Sequence, residues 1–383
     1  MSEASAADTA KPDSGAGGST AAPSDERVRR ISRVRRLLNR PELGSVSGAI
    51  LVFIFFGIVA SGSGMFAPDG VVNWLQVSAE LGIIAIGATM LMIAGEFDLS
   101  IGSMIGFSGM MMGIATVFWG WPVWLAILFT FALAMAIGFI NGYIVVKTGL
   151  PSFIVTLAFL FILRGLTIGL AVTLTGRTII GGVIDNPADN WLANLFGGVA
   201  FQGVFRWLAE IGVIASFPNG QPVVKGLPMS IIWWVVLGII GSWVLMRTRY
   251  GNWIYASGGD ANAAKNVGVP TARVKISLFM LTAFCATVYA AAQVMEFGSA
   301  SADRGVLKEL EAIVAAVIGG TILTGGYGTV IGGCIGALIF GVVQMGLYFT
   351  GVESSWFRVF VGVMLLLAVI FNNFIRRRVT ESR

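Results

Sequence analysis

The sequence has 383 residues, of which 56% are apolar and only 12% charged; it contains 51 glycines and no histidine. A soluble domain carries about 25% charged residues, so this balance excludes an ordinary globular enzyme, a disordered chain and a nucleic-acid binder. The formal charge is +5, and in a chain this apolar the position of the charges says more than their sum.

Residues 1–45 read as a disordered, basic tail. The first 26 are rich in Ala, Ser, Gly and Asp and cannot build a core. Seven arginines follow between Arg27 and Arg40. Lying just before an apolar run, they suit a juxtamembrane anchor on anionic lipid. The first apolar run begins near residue 46, late for a signal peptide, and many others follow, so it is expected to be retained as a span.

About 20 apolar residues are needed to cross the hydrocarbon layer. Ten candidate segments follow in order: 46–66, 76–94, 101–119, 123–146, 152–172, 228–247, 276–298, 311–323, 328–349 and 356–374. The fold class is therefore all-α, a polytopic transmembrane bundle over residues 46–375. Segment 311–323 is too short to cross alone and reads as a half-helix or part of a broken span. Glycine-rich 95–109 raises the same expectation.

Basic residues concentrate in the N-terminal arginine cluster 27–40, in 247–275 and at the C-terminus (Arg376, Arg377, Arg378 and Arg383), which together hold 16 of the 25. The positive-inside rule places all three in the cytoplasm. Ten spans satisfy this, with six before 247–275 and four after it. Region 173–227 is then outside and nearly neutral. Its apolar stretches at 191–216 suit one or two interfacial helices, or a further pair of spans.

Several polar residues fall at or near membrane depth. Asp98 or Ser100 can cap the helix that follows, and a helix start inside the membrane can face a polar solute. The plain alternative is a tight cytoplasmic turn. Arg164, deep in the fifth span, needs a partner or contact with a polar path; Glu309 and Glu311 open the eighth segment. Glu80 and Glu296 read as interfacial or pairing residues. Gly102/Gly106 and Gly328/Gly332 form Gly-x-x-x-Gly pairs suited to close helix packing. Cys285 and Cys334 lie in apolar runs and read as packing residues.

The coupling segment 248–275 carries its own helix signal. Asp260 can cap a run of good helix formers that Gly268 ends and Pro270 closes. A helix of about two turns, held between two spans, suits a docking partner; a loop helix without one is the alternative. The sequence has no Gly-x-x-x-x-Gly-Lys-[Ser/Thr] run and offers no histidine to a catalytic or metal centre. Catalysis is not expected, and energy for active transport must come from an ion gradient or a separate ATPase.

Three blocks of sequence also carry a resemblance. Ala94-Gly95-Glu96-Phe97-Asp98-Leu99-Ser100-Ile101-Gly102-Ser103 resembles a Gly-Gly-Ile-Asp-Leu-Ser-Val-Gly-Ser segment, with Glu96 where many relatives have glycine. The second block runs from Leu150-Pro151-Ser152 to Arg164-Gly165. The third runs from Tyr255 to Gly268 and continues in Glu309-Leu310-Glu311-Ala312-Ile313, Val317-Ile318-Gly319-Gly320-Thr321 and Gly325-Gly326-Tyr327-Gly328. Together they are similar to the permease subunits of bacterial carbohydrate importers of the ATP-binding cassette class, in the ribose/xylose/fructose branch. The branched-chain amino acid permeases are more distant relatives.

The resemblance implies a multi-pass inner-membrane protein with both termini cytoplasmic. It implies a second permease copy or close relative, a periplasmic sugar-binding protein, and a cytoplasmic ATPase, tandem in domain, that holds the ATP and Mg2+. The superfamily's coupling helix carries Glu-Ala-Ala-x-x-x-Gly. Asn262, Ala263, Ala264 and Gly268 take those positions after Asp260, with asparagine replacing glutamate. Small residues there would insert into a cleft on the ATPase. The alternatives are a permease of the same class for an amino acid or nucleoside, and a gradient-driven carrier, for which paired half-helices and inverted repeats would speak.

Overall fold

The computed structural model describes residues 41–184, 191–353, 355–364, 366, 367 and 370. The arginine-rich tail and the basic C-terminus lie outside the described residues. Each of the ten apolar segments contains a helix. They are α1 (Pro41–Val59), α2 (Pro68–Ile93), α3 (Ile101–Gly113), α4 (Val123–Thr148), α5 (Ser152–Thr175), α8 (Met229–Arg247), α11 (Thr271–Phe297), α12 (Lys308–Ile318), α13 (Val330–Phe349) and α14 (Ser355–Met364). Among the described residues seven helices are long and apolar enough to cross a membrane: α2, α4, α5, α8, α11, α13, and α3 together with the π-helical turn Ile114–Phe118 that prolongs it.

Local sequence sets the helix boundaries. Pro68 opens α2, and Pro122, Pro151, Pro228 and Pro270 stand immediately before α4, α5, α8 and α11. Proline suits these places because the first helical N–H groups have no partner to lose. Gly149 and Gly176 close α4 and α5 at φ of 70° and 68°, a left-handed conformation that costs a side-chain-bearing residue about 1 kcal/mol or more.

The middle of the bundle is α2, α3 and α11, which are buried on nearly all sides, and α13 packs along α2. By contrast α4, α5 and α8 leave most of their apolar surface open. Phe153, Phe161, Ile239 and Trp243 are among the exposed side chains, as expected where lipid supplies the remaining contacts.

Helices α2 and α11 run antiparallel. Gln76 and Glu80 meet Glu296 and Gln293 toward one end, and Glu96 pairs with Lys275 at the other. Region 173–227 gathers where α11 finishes. There β1 (Ile179–Gly181) pairs antiparallel with β4 (Ser299–Ser301), Ile180 opposite Ala300. Helix α6 (Trp191–Gly197) packs on the end of α11, and β2 (Val199–Ala200) pairs with β3 (Leu227–Pro228). Helix α7 (Gln202–Glu210) is a short surface helix. The two short helices thus form, and the extra pair of spans does not. Segment 247–275 lies at the opposite end, as the charge pattern requires.

Two stretches depart from helix inside the bundle. Residues 94–100 turn back from the end of α2 and rise beside α11 before α3 begins. Residues 302–307 lead from β4 toward α12. Helix α12 has 11 residues, about 16 Å against a hydrocarbon thickness of about 30 Å, so it is the half-helix that its length implied. Long helix, irregular stretch and interior helix start occur in that order twice, in opposite senses. Irregular backbone is tolerated at such depth only where protein or water satisfies its polar groups.

The glycine pairs divide on inspection. Gly332 and Gly336 face the backbone of Gly319 and Ala315, so they let α13 approach the half-helix closely. Gly102 faces Gly305 of the irregular segment and the Glu309 side chain at the start of α12, and Gly106 faces Arg304 and Ala302 of that segment. Gly328 precedes α13 at φ +145° and serves the turn, not helix packing, because the helix begins only after the Thr329 cap. Cys285 is buried, and both cysteines are free thiols.

Candidate functional site

At the 247–275 end, helix α9 (Arg249–Gly259) precedes α10 (Ala261–Asn266). Asp260 Oδ1 accepts from the backbone N–H of Asn262 at 2.9 Å and of Ala263 at 3.0 Å, satisfying two N–H groups that no helical carbonyl can reach. Gly268, at φ +90°, follows its end. Helix α9 has no counterpart in the sequence reading. Its signal is Thr248, whose Oγ1 accepts from Gly251 N at 3.2 Å.

The outward face of α10 differs from the expected one. Ala264 is 5% exposed and turned toward the body of the chain. A six-residue helix has one inward face, and the small side chain occupies it. Asn262, Ala263 and Lys265 are exposed, and Val267 is 81% exposed just beyond the helix.

Behind α10 three backbones meet with no side chain between them. The Cα of Gly258, in α9, lies against the carbonyl of Ile93 at the end of α2, and Gly326 N donates to that carbonyl at 2.8 Å. Gly325 lies against Gly95 and Gly258. Helix α9, the end of α2 and the loop before α13 therefore touch at one node.

From this node residues 95–100 enter the bundle. Lys275 Nζ pairs with Glu96 Oε1, with side chains 19% and 12% exposed. Losing one partner of such a pair strands the other charge, at a cost of about 3–5 kcal/mol. Glu96→Gln is expected to lower the melting temperature of the detergent-purified protein, and adding Lys275→Met to recover most of the loss. A double variant as unstable as the single one would contradict this account.

Beyond it, Phe97 N donates to Ser152 Oγ at 3.0 Å. Asp98 is 5% exposed. Its Oδ1 accepts from Ser100 N at 2.9 Å and Ser100 Oγ at 2.6 Å, and its Oδ2 from Thr282 Oγ1. Asn141 Nδ2 donates to Ser100 Oγ at 3.0 Å. Neither Asp98 nor Ser100 caps the N–H groups of α3 in the expected way. Asp98 instead holds the turn and ties it to α11, because Ser100 is already helical and its N–H is the nearest donor. The Asp98 network is buried beside the middle helices, not a surface turn.

The interior starts of α3 and α12 adjoin. Gly102 lies against Gly305 and the Glu309 carboxylate, which is 7% exposed. Asp98 and Glu309 thus place acidic groups near two helix N-termini, where the aligned peptide dipoles favour negative charge. Arg164 Nη1 donates to the Ala302 carbonyl at 3.3 Å, and Nη2 lies 3.9 Å from Asp303 Oδ1. Glu311 pairs with Lys308. The site residues therefore fall into two groups, an interior one around residues 98–102, 164 and 302–311 and an outer one at 260–268. The network partners Ser152, Asn141 and Thr282 were missed; as single polar residues within apolar helices they carry no spacing signal.

A bundle of apolar helices, two of which start inside it beside charged groups, defines a helical membrane transport protein. The chain belongs to the family described as the branched-chain amino acid transport system / permease component, whose model matches residues 70–369. It is similar to the xylose transport system permease protein XylH of Haemophilus influenzae, 31% identical over 352 residues, 84% of this chain and 93% of the relative. The ribose import permease protein RbsC of Escherichia coli is 31% identical over 343 residues, 88% of this chain and 97% of the relative. The inner membrane ABC transporter permease protein YjfF of Escherichia coli is 33% identical over 306 residues, 79% of this chain and 84% of the relative. These relatives agree with the motif blocks. No solved structure matches significantly.

Proposed function

We propose that this chain is the membrane-spanning permease subunit of an ATP-binding cassette importer of a bacterial inner membrane, moving a monosaccharide of the xylose or ribose type. The observation that carries this is the match to the two pentose permeases along 93–97% of their length. A periplasmic binding protein delivers the solute on the side of region 173–227. A second copy of the chain, or a close relative, completes the path. A separate ATPase holds ATP and Mg2+ and docks on α10, so α10 and both termini are cytoplasmic.

The gradient-driven alternative rests on paired interior helix starts, and these do occur here. They serve any carrier that must expose polar groups at membrane depth, so they do not choose between energy sources. The capped, exposed α10 at the basic end fits an external motor, for which a self-contained carrier has no use.

Liposomes containing the chain with its ATPase are expected to move radiolabelled xylose or ribose from the loaded binding protein only when ATP is supplied. Pentose uptake driven by a proton or sodium gradient through the chain alone would establish the carrier reading instead.

A further inference from the structure

Glu80 is the thirteenth of the 26 residues of α2, about 18–20 Å from either end of the helix. Its neighbours form a connected polar face. Gln76 Nε2 donates to Glu296 Oε1 at 2.6 Å and lies 3.4 Å from Glu80 Oε1. Gln293 Nε2 donates to Glu80 Oε2 at 3.0 Å and to the Tyr289 hydroxyl at 3.1 Å. The face is not sealed within the chain, because Gln76, Glu80 and Gln293 are partly exposed and Glu296 is exposed. Gln293 and Glu296 lie in the last turn of α11, so the face opens toward the end of the bundle where region 173–227 gathers, and polar groups there are not covered by lipid hydrocarbon without a cost. Water or another protein surface must therefore meet them.

The chemistry narrows what can bind. Each glutamine uses its amide nitrogen on a carboxylate. Among the described residues nothing donates to the Gln76 or Gln293 carbonyl oxygen. The exposed groups are thus mainly acceptors, in pairs that suit adjacent hydroxyl donors. The nearby cations are engaged: Lys308 with Glu311, and Arg304 with Ser299 and over the Phe297 ring at 4.9 Å.

We propose that Gln76, Glu80, Gln293 and Glu296 line a water-filled vestibule that takes a neutral polyhydroxylated solute by hydrogen bonds. The solute class rests on the sugar-permease reading; the water-filled face does not.

The test uses the assembled importer in membranes, with Cys285→Ala and Cys334→Ala as background. Gln293→Cys is expected to react with a membrane-impermeant thiosulfonate, and millimolar D-xylose or D-ribose with the binding protein is expected to slow that reaction several-fold. Glu80→Gln, which keeps the shape, is expected to cut pentose uptake about 10-fold, the loss of one charge-assisted hydrogen bond, while the loaded binding protein still stimulates ATP hydrolysis. A cysteine that never reacts would show that protein covers the face and overturn the vestibule. Labelling indifferent to both sugars, with normal uptake by Glu80→Gln, would overturn the solute site. A reactive cysteine in an importer that moves no pentose would support the vestibule and reject the polyol assignment together with the sugar reading.

Discussion

Val267→Asp is expected to leave the protein inserted and folded but to cut binding-protein-stimulated ATP hydrolysis and uptake at least 10-fold. Val267 is 81% exposed, next to a helix whose start is fixed by two backbone N–H groups that donate to Asp260. An isolated apolar side chain held this way costs the free chain almost nothing to change. Desolvated at the centre of a docked interface, it is worth about 2 kcal/mol or more, roughly a 30-fold change in affinity. A carboxylate there would be buried without a partner. Ala264→Arg would be the wrong probe, because Ala264 faces inward and an arginine would disturb α10 itself. Pull-down of the ATPase by wild type and Val267→Asp measures the contact. Equal recovery with equal coupling would remove α10 as the docking element.

The contrast between Ala264 and Val267 shows how far the sequence could be read. The cap, length and end of α10 follow from Asp260, Gly268 and Pro270, because capping and chain stiffness are local. Which way the helix turns its faces depends on α9 and α11, and in six residues no periodicity reports it. The half-helix was legible for a similar reason: 311–323 is too short to span, whatever surrounds it. Residues 94–100 were harder. Their glycine and Asp98 signal a break, but the partners that hold it, Ser152, Asn141 and Thr282, come from three other helices. Glu80 and Glu296 do pair across the bundle, but their partners Gln76 and Gln293 were not legible, because Gln76 and Glu296 stand 220 residues apart and amide residues in an apolar run give no pattern. The helical segments themselves, by contrast, rest on apolar length, which needs no tertiary contact.

Gly258→Ala is expected to abolish uptake while the ATPase still binds. The reason lies in how a push on α10 travels. Helix α9 connects α10 to the body, and Gly258 puts its backbone directly against the Ile93 carbonyl, which also accepts from Gly326 N. Ile93 ends α2 just before the irregular stretch that carries Asp98, and Gly326 sits in the loop between α12 and α13. Backbone contact passes displacement to the stretch that leads into α3 and to the loop that follows α12 without a flexible side chain to absorb it. A methyl group on Gly258 would overlap the Ile93 oxygen and the Gly326 nitrogen. Overpacking of this kind costs about 1–3 kcal/mol and forces the backbones apart, which breaks the contact through which α9 acts. The neighbouring residue separates mechanism from mere disturbance of the helix end. A methyl group on Gly259 meets nothing within 4 Å, so Gly259→Ala should transport normally, although it alters the same turn. Uptake and ATP hydrolysis measured side by side for the two variants make the comparison. If both transport alike, the node is only a packing contact, and the force from α10 must reach the interior through α11 and the Lys275–Glu96 pair instead.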